Sequence, residues 1–234
     1  MFRCDPYPTL VPSLAGHTHV LACDGPLHPG RSVAQAAHWA ADGLGLPLAW
    51  LPSCEGVWQD HSEQAWRDRS AGASLVVLGR EAQPARRCVV EQVVQTVSAP
   101  VLAVADAGAF AVPERVMVAF DGSPASRRAV AWVASSPLMR GVHCHLMMAG
   151  HVGQAEAARE LERAQTDLMT AGLRVTCYQV LDEVVSAMQQ GIGTYRIDLL
   201  VMGAFSHAPW RRWVAGSCTT RVLRACTVPT VLVR

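Results

Sequence analysis

The sequence predicts an α/β protein built as two tandem open parallel-sheet α/β domains, the first of them reduced. Three observations predict it. Short apolar runs alternate with amphipathic stretches, the order that makes parallel strands joined by crossover helices. The succession of elements in the second half recurs, shortened, in the first. Several apolar runs stop on Gly or Asp-Gly just before a helical stretch, as at Asp121-Gly122 and Gly203. A sheet of this kind is covered on both faces and takes ligands at the carboxyl ends of its strands.

In the first half, HTHVLACDGP (17–26) is a strand with a turn behind it, and PGRSVAQAAHWAADGLG (29–45) is a helix. PLAWLPS (47–53), ASLVVLG (73–79) and SAPVLAVA (98–105) are strands. ADAGAFAVPE (105–114), small residues and a proline, reads as a linker. The second half opens with RVMVAFDGS (115–123), a strand stopped by Asp-Gly-Ser. Ser123 then caps a helix with Pro124 in its first turn and Ala129, Val130 and Val133 as its buried stripe. VHCHLMMAG (142–150) is a strand. GQAEAARELERAQTDLMTAG (153–172) is an amphipathic helix with Ala157, Leu161, Ala164 and Leu168 on one face and Gly172 at its stop. LRVTCYQV (173–180) is a strand, and DEVVSAMQQGI (182–192) a helix with Asp182 and Glu183 at its start, which fits the dipole. DLLVMGAF (198–205), SCTTRVLRAC (217–226) and VPTVLVR (228–234) are strand, helix and strand. The matched points Asp121 to Gly203 span 82 positions, but Asp24 to Gly79 only 55, so the first half lacks room for one helix and one strand. The expected organisation is a degenerate, shortened domain over 1–104, the linker 105–114 and a complete domain over 115–234.

Composition removes several function classes. The net charge is +1 and only 17% of residues are charged, so there is no electrostatic footprint for nucleic acid or a membrane surface. No apolar run approaches the roughly 18 residues of a spanning helix. The first twenty residues carry Asp5 and three prolines where a signal peptide would be apolar. The expectation is a cytoplasmic protein with neither membrane nor nucleic-acid partner. Eight cysteines without a CxxC pair read as reduced, mostly buried thiols. His143 and His145 alternate around Cys144 and share a strand face, but two imidazoles fall short of the four ligands of a zinc site, so no metal is expected. No nucleophile–base–orienter triad is evident, so no catalytic residue is assigned.

The stretch GAFSHAPWRRWVAGSCTT (203–220) carries the chemistry. Gly203 ends an apolar strand. Ser206 follows three residues on, nine residues then intervene, and Gly216-Ser217 opens the last helix. Glycine lets the backbone approach a phosphate closely. The first amides of a helix have no internal partners and point at an anion. The Ser217 and Thr219 hydroxyls add donors. Arg211 and Arg212 are within reach of a phosphate or form a solvated pair beside Trp210 and Trp213. Glycines that only turn the chain, and a serine that only caps a helix, would produce the same pattern.

By this spacing, the second half resembles a universal stress protein domain. The family pattern is Gly, two residues, Gly, nine residues, Gly, then Ser or Thr. Here Gly203, Gly216 and Ser217 match, and Ser206 replaces the middle glycine. If that position needs positive φ, serine costs on the order of 1 kcal/mol, while its hydroxyl adds a donor. The whole chain looks like a short tandem member, of a fold similar to the adenine nucleotide alpha hydrolases. Some members bind ATP in this loop, and others lack the glycines and do not. The resemblance implies ATP, or AMP or ADP, with or without Mg2+. It puts Asp121 at the adenosine end, Gly203, Ser206 and His207 along the phosphate path, and Gly216, Ser217, Cys218 and Thr219 over the phosphates. The first half has Arg87 and Cys88 where Gly216 and Ser217 stand, and is expected to bind no nucleotide. The resemblance implies a stress-response regulator, and with no general base placed in the loop any hydrolysis is expected to be slow. The last strands, around Val101 to Val104 and Val231 to Val233, would be apolar edges that cover each other in a homodimer or an intramolecular pseudo-dimer. The alternative is an interaction module with a vestigial glycine loop and an unidentified protein partner.

Overall fold

The apolar runs read from the sequence form strands, and the strands share one sheet. The computed structural model describes residues 19–23, 31–51, 63–80, 89–105, 109–149, 155–204 and 215–234, without the side chains of 215–218. The first half contributes β1 (His19–Cys23), α1 (Arg31–Leu44), β2 (Leu48–Leu51), α2 (Glu63–Arg69), β3 (Ala73–Arg80), α3 (Val89–Thr96) and β4 (Val101–Ala105). The second contributes β5 (Arg115–Ala119), α4 (Pro124–Ser135), a 3-10 turn (Pro137–Met139), β6 (His143–Ala149), α5 (Ala155–Thr170), β7 (Arg174–Val180), α6 (Val184–Thr194), β8 (Leu199–Gly203), α7 (Ala215–Ala225) and β9 (Thr230–Val233).

The strand order is β2-β1-β3-β4-β9-β8-β5-β6-β7. Each half is a parallel block, as crossover helices require. The blocks meet at β4 and β9, which run antiparallel with Val101 opposite Leu232 and Ala103 opposite Thr230. The last strands of the two halves therefore pair across the seam. The register also matches between halves. Gly79 pairs with Val104 in the first block, and Gly203 with Val233 in the second. Between β2 and β3 the described residues hold only α2, whereas α5, β7 and α6 stand between β6 and β8.

Strand residues alternate between two apolar layers, as the period of two dictates. Val118, Leu146, Val201 and Val231 face one layer, closed by α1, α4 and α5. Met117, Met147, Leu200 and Leu232 face the other, closed by α2, α3, α6 and α7. The anticipated stripe of α5 is the buried one: Ala157, Leu161, Ala164 and Leu168. Ser123 caps α4 by accepting from the Ser126 N–H at 3.2 Å, with Pro124 in the first turn.

Three details add to or differ from the sequence reading. The helices α2 and α3 stand outside the sequence reading; α2 has seven residues and a single buried one, Trp66. Of the two acidic residues that open α6, Glu183 is the cap: its carboxylate accepts from the N–H groups of Val185 and Ser186. Asp182 instead accepts from the Glu183 N–H. Helix α7 begins at Ala215, two residues before the expected start.

Candidate functional site

β5 and β8 are parallel neighbours, with Ala119 opposite Met202. Their carboxyl ends therefore emerge side by side, one leading into Asp121 and the other into Gly203. After β5 the chain turns through Gly122, whose φ of 75° is left-handed and suits glycine. The Asp121 carboxylate accepts from the Ser123 N–H at 2.9 Å, which closes an Asx turn. The Ser126 hydroxyl, 2% exposed, donates to the Ser123 carbonyl and accepts from the Asp121 N–H. The turn and the first helical residues thus form one hydrogen-bonded unit at the strand end.

Gly203 is packed against that unit. A Cβ built on it would lie 2.4 Å from the Ala125 carbonyl carbon and 2.4 Å from the Ser126 nitrogen. Both are main-chain atoms that no rotamer change can move. Glycine is required here by close approach between β8 and the start of α4, a reason separate from loop flexibility. The next residue, Ala204, donates its N–H to the Val233 carbonyl at 2.8 Å and continues the β8–β9 ladder past the glycine.

Of the other sequence-predicted site residues, Gly216, Ser217, Cys218 and Thr219 lie in the first turn or so of α7. Thr219 is buried. Ser206 and His207, like Trp210, Arg211, Arg212 and Trp213, lie outside the described residues, as do Asp24, Arg87 and Cys88 of the first half. The α6 cap Glu183 pairs with Arg221 of α7 at 2.8 Å. Beside Gly122, Glu160 of α5 pairs with Arg127 and Arg163 at 2.8 and 2.9 Å. Four helix starts (α4, α5, α6 and α7) follow strands of the same parallel block, so their N–H-rich ends gather on one edge of the sheet.

A second polar cluster lies at the opposite edge. His143 Nε2 meets Thr176 Oγ1 at 2.8 Å, and His145 Nδ1 meets Tyr178 Oη at 3.1 Å. Tyr178 and Tyr195 stack with centroids 4.3 Å apart, and His145 stacks on both. His145 Nε2 is buried without a partner. Burial holds its pKa below the ordinary 6.5, helped by His143 and Arg115 and opposed by Asp198. Asp198 accepts from the N–H groups of Glu114 and Arg115. The two histidines were legible in the sequence. Their partners were not, because the β6–β7 register decides them. Among the described residues no group of three or more His, Cys, Asp or Glu is placed to hold a metal ion, and no helix is long and apolar enough to cross a membrane.

A family model described as the universal stress protein family matches residues 113–234. The universal stress protein Slr1230 of Synechocystis is 25% identical over 174 residues, which cover 71% of this chain and 60% of that protein. The crystal structure of a universal stress protein from Archaeoglobus fulgidus superposes with a TM-score of 0.66 at 15% identity, over 92% of this chain and 96% of that one. A universal stress protein solved with cAMP matches with a TM-score of 0.45 at 22% identity, over 53% of this chain and 98% of its own.

Proposed function

Because this chain belongs to the universal stress protein family, we propose that it is a stress-response regulator that binds an adenine nucleotide in its C-terminal half. The ligand is ATP, or AMP or ADP, with or without Mg2+. In this reading residues 115–234 form the complete domain, 105–114 the linker, and 1–104 a degenerate domain that serves as a built-in partner in the cytoplasm. The observation that carries the reading is the contact of Gly203 with Ala125 and Ser126. That contact brings the end of β8 against the Asp121 turn; in this reading a ligand spanning the two strand ends would meet Asp121 on one side and the start of α7 on the other. Asp121 would face the adenosine. Gly203, Ser206 and His207 would line the phosphate path, and Gly216, Ser217, Cys218 and Thr219 would close it with amides and hydroxyls. Anion binding there uses the dipole and the free amides of α7 rather than a phosphate-loop lysine, since the chain has no lysine.

The test is direct. Acid extraction of the purified protein reports bound ATP, ADP or AMP, and calorimetry on the stripped protein gives the affinity for each. Binding at millimolar or better that is lost in Gly216→Val supports the reading. Absence of binding in the wild type and in Ser206→Gly alike removes it and leaves the interaction module.

A further inference from the structure

Helix α7 is held at its far end by the other half of the chain. Its last carbonyls have no partners within the helix. Arg80 of β3 supplies them: Nη1 donates to the Leu223 carbonyl at 2.5 Å and Nη2 to the Cys226 carbonyl at 2.7 Å. The Ala225 carbonyl accepts from Gln189 of α6 at 3.3 Å. A guanidinium suits this place, since its planar fork presents two N–H groups at once and its charge faces the negative end of the helix dipole.

The position of Arg80 is informative. By the matched register, Gly79 and Arg80 stand in the first block where Gly203 and Ala204 stand in the second. The edge of β3 that would face a ligand is thus occupied by a side chain serving the helix end of the other half. A related contact crosses the seam in the opposite direction, from Arg234 Nη1 to the Gln95 carbonyl at the end of α3. The two arginines tie each half's last helix to the other half's strands, but only α7 carries the glycine–serine pair in its first turn.

We propose that Arg80 is a positioning residue for the anion-binding end of α7. By fixing both carbonyls it sets the helix along its axis, and with it the amides of the first turn. A helix held at its carboxyl end by the guanidinium presents its first amides to the anion already ordered, so the two contacts are coupled through the ordering of α7. The degenerate half thereby sets the affinity of the complete one. This deepens the nucleotide reading and rests on it.

The experiment uses the full chain as wild type, Arg80→Ala, Arg80→Lys and Arg234→Ala. Hydrogen exchange of the free protein is read at the amides of residues 219–222, the first in α7 with helical partners. ATP affinity is read by calorimetry. Arg80→Ala is expected to speed exchange at those amides and to raise the ATP Kd about fivefold or more. Arg80→Lys, which keeps the charge but loses the fork, is expected to fall between. Arg234→Ala is expected to lower Tm and leave the ATP Kd unchanged, which separates positioning from general stabilisation. If Arg80→Ala keeps wild-type exchange at 219–222, the proposal is overturned. If exchange rises while ATP affinity stays at the wild-type value, coupling to the ligand is overturned. A wild type that binds no ATP removes the nucleotide reading, and the exchange comparison alone then decides whether Arg80 orders the start of α7.

Discussion

Gly203 and Ser126 touch through their backbones: the Ser126 nitrogen lies 2.4 Å from where a Cβ on Gly203 would be. Real Cβ atoms do not come this close, so any side chain at 203 separates β8 from α4. Gly203→Ala is expected to destabilise the fold by about 1–3 kcal/mol, the range for overpacking a tight contact. Urea unfolding measures this. A variant within about 0.5 kcal/mol of wild type, the scale of a neutral surface change, would mean that the contact relaxes freely.

Asp121 has two separable roles. Its carboxylate closes the turn to the Ser123 N–H, and the proposed site uses it beside the adenosine. Asparagine retains the oxygen that accepts in an Asx turn. Asp121→Asn is therefore expected to keep the wild-type Tm and weaken ATP binding. Asp121→Ala should lose about 1 kcal/mol of stability as well, the usual worth of one such bond. Equal ATP affinity for wild type and Asp121→Asn would take Asp121 out of the site.

His145 gives the fold a pH dependence. Its pKa is held below the ordinary 6.5, by burial first and then by His143 and Arg115. The unfolded chain therefore takes up a proton that the folded chain refuses. This contribution is complete above about pH 6.5 and is lost as pH falls below it toward the folded value. Thermal melts between pH 8 and pH 5 should show Tm falling on the acid side. His145→Phe, which cannot titrate, should flatten that fall, and parallel profiles would contradict the assignment.

Cys144 should be chemically silent. Burial, with Cys177 adding to it, pushes its pKa up to about 12, and the Cys177 thiol is pushed up by burial too. Reactivity needs the thiolate. Alkylation with iodoacetamide at pH 8, read by peptide mass, should leave both unmodified in the folded protein and label both in denaturant. Labelling of native Cys144 at the rate seen in denaturant would refute the burial argument.

What the sequence made legible was periodic or local. The stripe of α5 and the Ser123 cap depend only on residues a few positions apart, and both stand as read. The pairing of the last strands followed from two apolar edges that needed cover, and β4 and β9 supply it for each other. Helix α2 was missed because seven residues with one buried tryptophan are too short to show a period. The reason for Gly203 was only half legible. Its place in the spacing was plain, but the backbone it touches belongs to a helix start far away in sequence. Nothing local marks Arg80, since its partners Leu223 and Cys226 lie across the seam. Contacts of this kind follow from topology, and no local pattern announces them.

The antiparallel join of β4 to β9 also changes how the assembly responds to dilution. When two separate molecules share such a ladder, the fraction paired depends on how much protein is present. Here the chain runs from Ala105 to Arg115 between the halves, so the two strand edges face each other at a local concentration on the order of millimolar, set by the connecting segment. The seam therefore forms as completely in a cell holding few copies as in one holding many. Whatever passes between the halves through Arg80 is a property of each molecule by itself.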